Sequence, residues 1–360
     1  MSSSSVVTQV PADAALDEIL HEISVPMGVL EEARRRRDRV LAIAEEHDAA
    51  RDQAGFASGS VAHGTTNRPL EDADCGIKVN RRFEAFRVFG PDAAEDRGPE
   101  GFIKLFSEFV LPRLRHRYPN AEVDLGGNRA IKFLINETVE IDEWGPVDPY
   151  VELIVGLDRV DAPGIWIPNR RRGGWDPADP ELHTEMMVMR HPEALRVLRA
   201  HVLRLSKRAV KRDAANGGVG VMCSWNLSAL ALELITETDP LGSALHSFLT
   251  RASASIGAGL TEDPAAAVVQ PIALPDGVTR QMASQRLAEM AAVVQRAVAA
   301  CRKAGARAEL AAIFGPEIEA IRESEARRAR DAFKHGNGRA VASALGLPLA
   351  VQKPTRSHGA

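Results

Sequence analysis

The chain of 360 residues is poor in cysteine and has no long apolar run. Its cysteines, Cys75, Cys223 and Cys301, are far apart and odd in number, which argues against a disulfide framework and against a zinc site. Free thiols are typical of a reducing cytoplasm. No apolar run approaches the roughly 20 residues that a membrane helix needs. We therefore expect a cytoplasmic protein without a membrane span.

The chain also has no excess of positive charge. Lysine and arginine number 45 against 49 aspartates and glutamates, which gives a net charge of −4. Proteins that bind nucleic acid usually carry a basic surface, so we do not expect nucleic acid as a partner, although the composition leaves room for a local basic cleft. The start of the chain, MSSSSVVTQVPADA, lacks the cationic residues and apolar core of a secretory signal, so we expect none.

Residue patterns divide the chain into four parts. Residues 1–14 are rich in serine and unpatterned, which predicts disorder. A mixed α/β part over 15–190 precedes a helical part over 191–338, and 339–360 are expected to form a flexible tail. A chain of 360 residues has room for two packed domains of this kind.

Hydrophobic spacing predicts the individual elements. In the first part the expected helices are 25–54 and 99–117, and the expected strands are 73–79, 121–125, 130–135 and 150–157. Segment 165–180 is dense in proline, glycine and tryptophan and is expected to be an ordered loop. In the helical part the expected helices are 192–211, 224–236, 241–256, 279–304 and 317–334. The basic run Arg34–Arg37 fits either a solvated helix face or a basic rim near a polyanion.

The most informative stretch joins a Gly-Ser pair to two aspartates. Gly59 and Ser60 precede a short loop, and Asp72 and Asp74 follow with one residue between them. Alternate residues of a strand point to the same face, so the two carboxylates converge. They repel each other unless a cation lies between them, and a hard divalent ion such as Mg²⁺ suits them. Because the Gly-Ser turn offers N–H groups and a hydroxyl to phosphate, the stretch predicts nucleotidyl transfer from a triphosphate.

A third carboxylate is expected, because two-metal phosphoryl transfer usually needs one. Glu152 interrupts the otherwise apolar run Tyr150–Val155, and a buried carboxylate needs a partner such as a shared metal. The alternative for Glu152 is an edge-strand side chain that faces water. Asp148 is the rival ligand, although Pro149 after it favours a turn before the strand.

The order Gly59-Ser60, Gly64-Thr65, Asp72-x-Asp74 resembles the polymerase-β-type nucleotidyltransferase signature. In particular it is similar to the bacterial cGAS/DncV-like nucleotidyltransferases (CD-NTases), relatives of cyclic GMP-AMP synthase and 2′-5′-oligoadenylate synthetase. The resemblance covers roughly residues 25–315. Its later blocks are IPNRRRGGWDPADPELH (167–183), LRVLRAHVLRLSKRAVKR (195–212), CSWNLSALALELI (223–235) and AVAACRKAGARAELAAIFG (297–315).

This resemblance implies an α+β fold: a polymerase-β-like core, whose mixed sheet is flanked by helices, plus a C-terminal helical domain that completes the nucleotide cleft. It implies that Lys207 and Ser224 contact the donor triphosphate and that Trp225 stacks on a base. The alternatives are a solvated helix charge for Lys207 and a core aromatic for Trp225. With Asp72, Asp74 and Glu152 as metal ligands, two Mg²⁺ or Mn²⁺ ions are expected.

Three departures from the family pattern stand out. Glu152 stands where aspartate is more frequent, and Ala73 stands between the two aspartates where a larger apolar residue is common. His63 lies in the Gly-Ser loop where relatives often carry a basic or polar residue, and simple exposure would explain it. None of these departures removes a required group, so we expect an active enzyme.

The resemblance implies synthesis of a cyclic di- or trinucleotide second messenger from ATP, or from ATP and GTP, with release of pyrophosphate, in anti-phage (CBASS) signalling. A second hypothesis keeps the metal chemistry but transfers the nucleotide to tRNA, a protein or an aminoglycoside. A third, a catalytically silent nucleotide sensor, conflicts with the intact Asp72 and Asp74 pair. Some family members are regulated by a protein that conjugates their C-terminus; Gly359-Ala360 is compatible with this and with a frayed end.

Overall fold

The computed structural model describes residues 10–50, 55–81, 83–141, 145–160, 162–215, 220–268 and 270–315. Over these residues the α+β class is confirmed: a mixed sheet with helices packed against it, the core lobe, precedes a bundle of helices, the helical lobe. None of the helices in these ranges combines the length and apolarity needed to cross a membrane.

The described strands form a seven-stranded sheet and a separate two-stranded one. In chain order they are β1 (Phe56–Ser58), β2 (Asp72–Val79), β3 (Glu122–Asp124), β4 (Ile131–Leu134), β5 (Val139–Ile141), β6 (Gly145–Val147), β7 (Tyr150–Asp158), β8 (Ile165–Asn169) and β9 (Gly174–Ala178). The large sheet runs β1-β2-β7-β4-β3, with β8 joining the far end of β7 and β9 pairing with β8. Strands β2 and β7 are parallel and central, while the other pairs are antiparallel.

The helices cover one face of this sheet and build the second lobe. They are α1 (Pro11–Glu22), α2 (Met27–Glu45), α3 (Gly59–Ala62), α4 (Gly98–Arg115), α5 (Pro180–Val188), α6 (Glu193–Ala215), α7 (Ser224–Leu234), α8 (Leu241–Ala258), α9 (Arg280–Ala299) and α10 (Lys303–Phe314). Helices α2 and α4 pack on the apolar face of the sheet, whereas α6 to α10 share a separate core.

Side chains along β2 and β7 alternate between apolar and polar types, so the sheet has an apolar face and a polar face. Cys75 and Ile77 of β2 and Val151 and Leu153 of β7 are fully buried under the helices. Each such aliphatic side chain contributes about 1.5–3 kcal/mol by leaving water. The residues between them, including the acidic ones, must therefore point to the opposite face.

The first helix belongs to the helical lobe. Ala12, Leu16 and Ile19 of α1 are buried in the core that α6 to α10 share, and Glu22 accepts hydrogen bonds of 2.7 and 2.8 Å from Arg307 of α10. The predicted disorder of residues 1–14 is thus wrong for residues 11–14, because an apolar stripe at spacings of three and four starts there. Residues 1–9 lie outside the described ranges.

Two further expectations need correction. Segment 165–180 is not a loop but the hairpin β8–β9, in which each proline lies opposite a tryptophan: Trp166 with Pro177 and Pro168 with Trp175. Pro168 lies beyond the part of β8 that pairs with β7, and Pro177 lies on an edge strand, where a missing N–H is tolerated. The single helix over 279–304 is two helices, since the chain leaves the helical conformation at Ala300 and α10 packs back on α9.

Some predicted features fall outside the described residues. These are the helix over 317–334 and the tail over 339–360. The proposed boundary near residue 190 falls in the connection between α5 and α6.

Arg36 fastens α2 to the start of β7. Its guanidinium is fully buried and bonds Glu32 at 2.7 Å, the Pro149 carbonyl at 2.8 Å, the Asp148 carboxylate and the Glu137 carbonyl. Arg34 and Arg35 of the same run are exposed. The basic run is therefore a solvated face with one buried anchor.

We expect Arg36→Leu to destabilise the protein by about 3–5 kcal/mol, because Glu32 and two carbonyls would lose their buried partner. Arg34→Leu, in the same helix, is the matched control and should change the free energy of unfolding by less than about 0.5 kcal/mol. Urea denaturation of both variants measures this, and equal losses would contradict the anchoring role.

Candidate active site

The acidic residues of the two central strands lie side by side. Asp74 of β2 is the direct register partner of Glu152 of β7, and Asp72 is the partner of Tyr150. Because partners in adjacent strands share a face, all three carboxylates lie on the polar face of the sheet. Glu152 thus lies on a central strand, so an edge-strand position facing water is ruled out for it.

Crowding and burial make these carboxyl groups hard to ionise. Burial, reinforced by the charges of Asp72 and Glu152, raises the pKa of Asp74 to about 8. Burial also raises the pKa of Asp72, with a contribution from Glu71, and that of Glu152, with a contribution from Asp72. A positive charge bound beside the three carboxyl groups would therefore lower the free energy of their ionised forms.

The Gly-Ser turn lies directly against Asp74. Gly59 begins α3 with φ of +70°, and a Cβ built on it would lie 1.7 Å from Oδ2 of Asp74. Only glycine allows this approach. The turn is closed by a hydrogen bond of 2.9 Å from the Thr65 N–H to the Ser60 carbonyl.

Helix α6 brings Lys207 from the second lobe to the acidic group. Its Nζ donates a hydrogen bond of 2.9 Å to Oγ1 of the buried Thr65. Burial lowers the pKa of Lys207 to about 8, against the opposing influence of Asp74 and Asp72. One turn earlier, Arg204 exchanges hydrogen bonds with Asn67, which fixes the helix against the same loop. Lys207 is thus a partly buried cation rather than a solvated helix charge.

The N-terminus of α7 closes the other side. Ser224 is its first residue, and Asn226 accepts a hydrogen bond from the Cys223 N–H in a capping box. Trp225 is partly buried, and its ring meets the edge of the His183 ring with centroids 4.1 Å apart. Trp225 is therefore not a core aromatic.

These side chains surround one cavity of about 280 Å³ between the lobes. Every predicted site residue except Glu152 lines it: Gly59, Ser60, Asp72, Asp74, Lys207, Ser224 and Trp225. Glu152 lies one strand beyond Asp74. Across the described residues, no three His, Cys, Asp or Glu side chains already form a cluster arranged to hold a metal ion.

Asp148, the rival third ligand, lies elsewhere. Its carboxylate pairs with the buried guanidinium of Arg36, so its role is structural. His63 is not simply exposed, because it lines the cavity and its Nε2 lies 3.0 Å from Oγ1 of Thr184. Burial, together with Lys207 and His183, lowers the pKa of His63 to about 4.

Sequence patterns did not reveal two pairs of residues in this region, Lys132 with Tyr150 and His183 with Asp263. Lys132 of β4 is the register partner of Glu152, and its Nζ lies 3.6 Å from the centroid of the Tyr150 ring. A polar residue between Ile131 and Phe133 was the available signal. The second pair, His183 and Asp263, had no such signal because the two residues are 80 positions apart.

We expect Gly59→Ala to destabilise the protein more than Gly64→Ala. Both glycines have positive φ, so alanine costs about 1–2 kcal/mol of backbone strain at either position. Only at Gly59 does the added Cβ also collide with Asp74, whereas nothing lies within 4 Å at Gly64. Urea denaturation compares the two variants, and equal losses would show that the approach to Asp74 is not tight.

Asp74→Asn should raise the melting temperature in metal-free buffer by roughly 2–6 °C at pH 8. A carboxyl group whose pKa rises on folding destabilises the native state increasingly as pH climbs from about 4 to 8, and no further above. The gain should therefore grow with pH through this window. The exposed Asp276→Asn, outside the sheet, is the control. A lower melting temperature for Asp74→Asn at pH 8 would contradict this cost of ionising the buried Asp74 carboxyl group.

No protein-family model matches the chain, and no curated protein sequence matches it. Solved structures do match. The CD-NTase CdnG of Bradyrhizobium diazoefficiens, solved with GTP, is 17% identical with a TM-score of 0.60 over 86% of this chain and 98% of that chain. CdnC of E. coli MS115-1, solved with HORMA-deltaN, is 16% identical with a TM-score of 0.57 over 85% and 97% of the two chains.

DncV of Vibrio cholerae, a cyclic AMP-GMP synthase solved with nonhydrolysable GTP, is 16% identical with a TM-score of 0.52 over 86% of this chain and 85% of that chain. At these identities the likeness concerns the fold, and it extends over most of each chain. The chain therefore has the polymerase-β-like nucleotidyltransferase fold of the CD-NTases, as the resemblance in its motifs predicted.

Proposed function

We propose that this protein is a CD-NTase that joins nucleoside triphosphates into a cyclic oligonucleotide and releases pyrophosphate. The observation that carries the proposal is one cavity in which Asp72 and Asp74 face Lys207 and the start of α7. A nucleotidyl-transfer site needs carboxylates that bind metal ions and a cationic side chain that binds phosphate.

Divalent metal ions fit the acidic group chemically. Asp72, Asp74 and Glu152 are hard oxygen donors on neighbouring strands, and their raised pKa values indicate a missing positive charge. Two Mg²⁺ or Mn²⁺ ions held there would supply activation of the acceptor hydroxyl and neutralisation of the triphosphate. Because the carboxylates do not form a ready-made cluster, their side chains would have to turn toward the ions.

The triphosphate would lie between the Gly-Ser turn and the helical lobe. Lys207 offers a point charge to a β- or γ-phosphate, and the Ser60 hydroxyl donates to another oxygen. Ser224 adds a hydroxyl at the N-terminus of α7, where free N–H groups favour an anion. Such contacts orient the α-phosphate so that an acceptor ribose hydroxyl forms the new P–O bond as pyrophosphate leaves.

Trp225 would bind the base. Its ring lines the cavity next to Ser224, and stacking of a base on an aromatic ring contributes about 1–3 kcal/mol. Stacking tolerates every base, so it agrees with ATP as donor and with GTP as a second substrate.

We include cyclisation, and a role in CBASS signalling in the cytoplasm, in the proposal because the chain has the fold of the CD-NTases and resembles them in its motifs. Conjugation of the C-terminus by a regulatory protein is a further part of this hypothesis; residues 316–360 lie outside the described ranges. Transfer to tRNA, a protein or an aminoglycoside is the alternative outcome of the test below.

The test is incubation with all four nucleoside triphosphates and Mg²⁺ or Mn²⁺, followed by phosphatase and mass spectrometry. We expect a phosphatase-resistant cyclic product that EDTA abolishes. Asp72→Ala, Asp74→Ala and Glu152→Ala should each reduce its rate by about 10²-fold or more, because each removes charge stabilisation that nothing nearby replaces.

Glu122→Ala is the matched control, since this exposed carboxylate lies on the edge strand β3 of the same sheet face, and it should retain activity. Labelled nucleotide found only on added RNA or protein would show that the enzyme transfers nucleotide to a macromolecule and does not form a cyclic product. Activity that survives loss of Asp72 and Asp74 together would refute the site.

A further inference from the structure

A buried pair of polar residues ties the cavity wall together. Nε2 of His183, on α5, lies 2.6 Å from Oδ1 of Asp263, on the loop after α8, and both side chains are almost completely shielded from solvent. A carboxylate has no proton to donate, so the imidazole Nε2 carries the hydrogen. The bond links α5, which packs against β1, to the loop that follows α8.

Asp263 organises the loop that contains it. Its Oδ1 also accepts the Ala265 N–H at 3.1 Å, and its Oδ2 accepts the N–H groups of Ala267 and Val268 at 3.0 and 3.1 Å. With His183, four donors therefore satisfy the carboxylate. Loss of one of them would leave a buried charge underbonded, which is costly.

The same loop is attached to α7. The fully buried Asn226 donates to the Ile272 carbonyl at 3.2 Å and lies 3.4 Å from Oγ1 of Thr261. Pro264, next to Asp263, lines the cavity together with Trp225. The loop and the start of α7 thus form one continuous wall.

His183 connects this wall to the aromatic ring. It lines the cavity, and its ring meets the Trp225 ring edge-on at an interplanar angle of 79°. Such edge-to-face contacts fix the relative orientation of two rings. One imidazole therefore holds Asp263 through Nε2 and the tryptophan through its ring.

We infer that His183 and Asp263 are positioning residues that hold Trp225 and the 261–268 loop as a fixed binding surface for the base of a nucleoside triphosphate. This inference deepens the proposed function and depends on it for the identity of the ligand. A prearranged wall lowers the entropy lost on binding, so the pair acts on affinity rather than on the chemical step.

The experiment measures the Kd of α,β-methylene-ATP together with KM and kcat for His183→Ala, Asp263→Asn and the double variant. We expect each single variant to raise Kd and KM by about tenfold, the loss of one good contact, with kcat within about threefold of the wild type. The double variant should be no worse than either single one, because the two residues act as a unit.

His183→Gln tests the role without removing the donor. Its amide can still donate to Asp263 but offers no ring to Trp225, so it should recover part of the lost affinity. The control variants are His116→Ala, at the exposed end of α4, and Asp276→Asn, exposed beyond the loop. A Kd for His183→Ala within twofold of the wild type, or losses that add in the double variant, would overturn the inference.

Acrylamide quenching of Trp225 fluorescence tests the positioning without nucleotide. The contribution of Trp225 is the difference between each protein and its Trp225→Phe counterpart. His183→Ala should raise the quenching constant. His183→Gln keeps the bond to Asp263 but lacks the ring, so its constant should lie between those of the wild type and His183→Ala; an unchanged constant for both overturns the inference. A wild type that binds no triphosphate but shows this pattern refutes the proposed function and leaves the positioning role intact.

Discussion

The burial of three carboxylates side by side, where they lose hydration and repel one another, is the constraint on which the site depends. Asp74 and Glu152 are register partners on adjacent strands, and Asp72 lies two residues before Asp74. Their backbones cannot turn away, because the alternating residues Cys75 and Val151 are locked in the apolar core beneath. The hydrophobic core thus holds like charges together at a cost in stability, and a bound cation would reduce that cost.

The helical lobe supplies the complementary charge and the shape. Thr65 and the Asn67–Arg204 pair fasten α6 to the loop before β2 and so help to hold Lys207 at the acidic group. The start of α7 and the loop that carries Asp263 close the remaining side. The cavity therefore has parts from both lobes, and its form depends on hydrogen bonds between distant residues. Motion of one lobe would change the distance between Lys207 and the carboxylates.

Much of the candidate site could be predicted from local patterns in the sequence. The Gly-Ser pair and the Asp-x-Asp spacing predicted the site, since a period of two is fixed by the geometry of a strand. The resemblance to the CD-NTases added Lys207, Ser224 and Trp225, and all three line the cavity. The prediction of a loop over 165–180 was wrong because it relied on composition. The hairpin β8–β9 is rich in proline and glycine, yet its prolines lie where the sheet tolerates them.

The sequence by itself determined the residue types, the faces of the central strands and the chemistry that acidic pairs and a glycine turn can support. Only the tertiary structure decided that Glu152 is beside Asp74 while Asp148 is bound by Arg36, and that His183 meets Asp263. The physical reason is that strand register and lobe packing are set by the whole core. Residues far apart in the chain therefore meet through long-range packing, which local spacing does not specify.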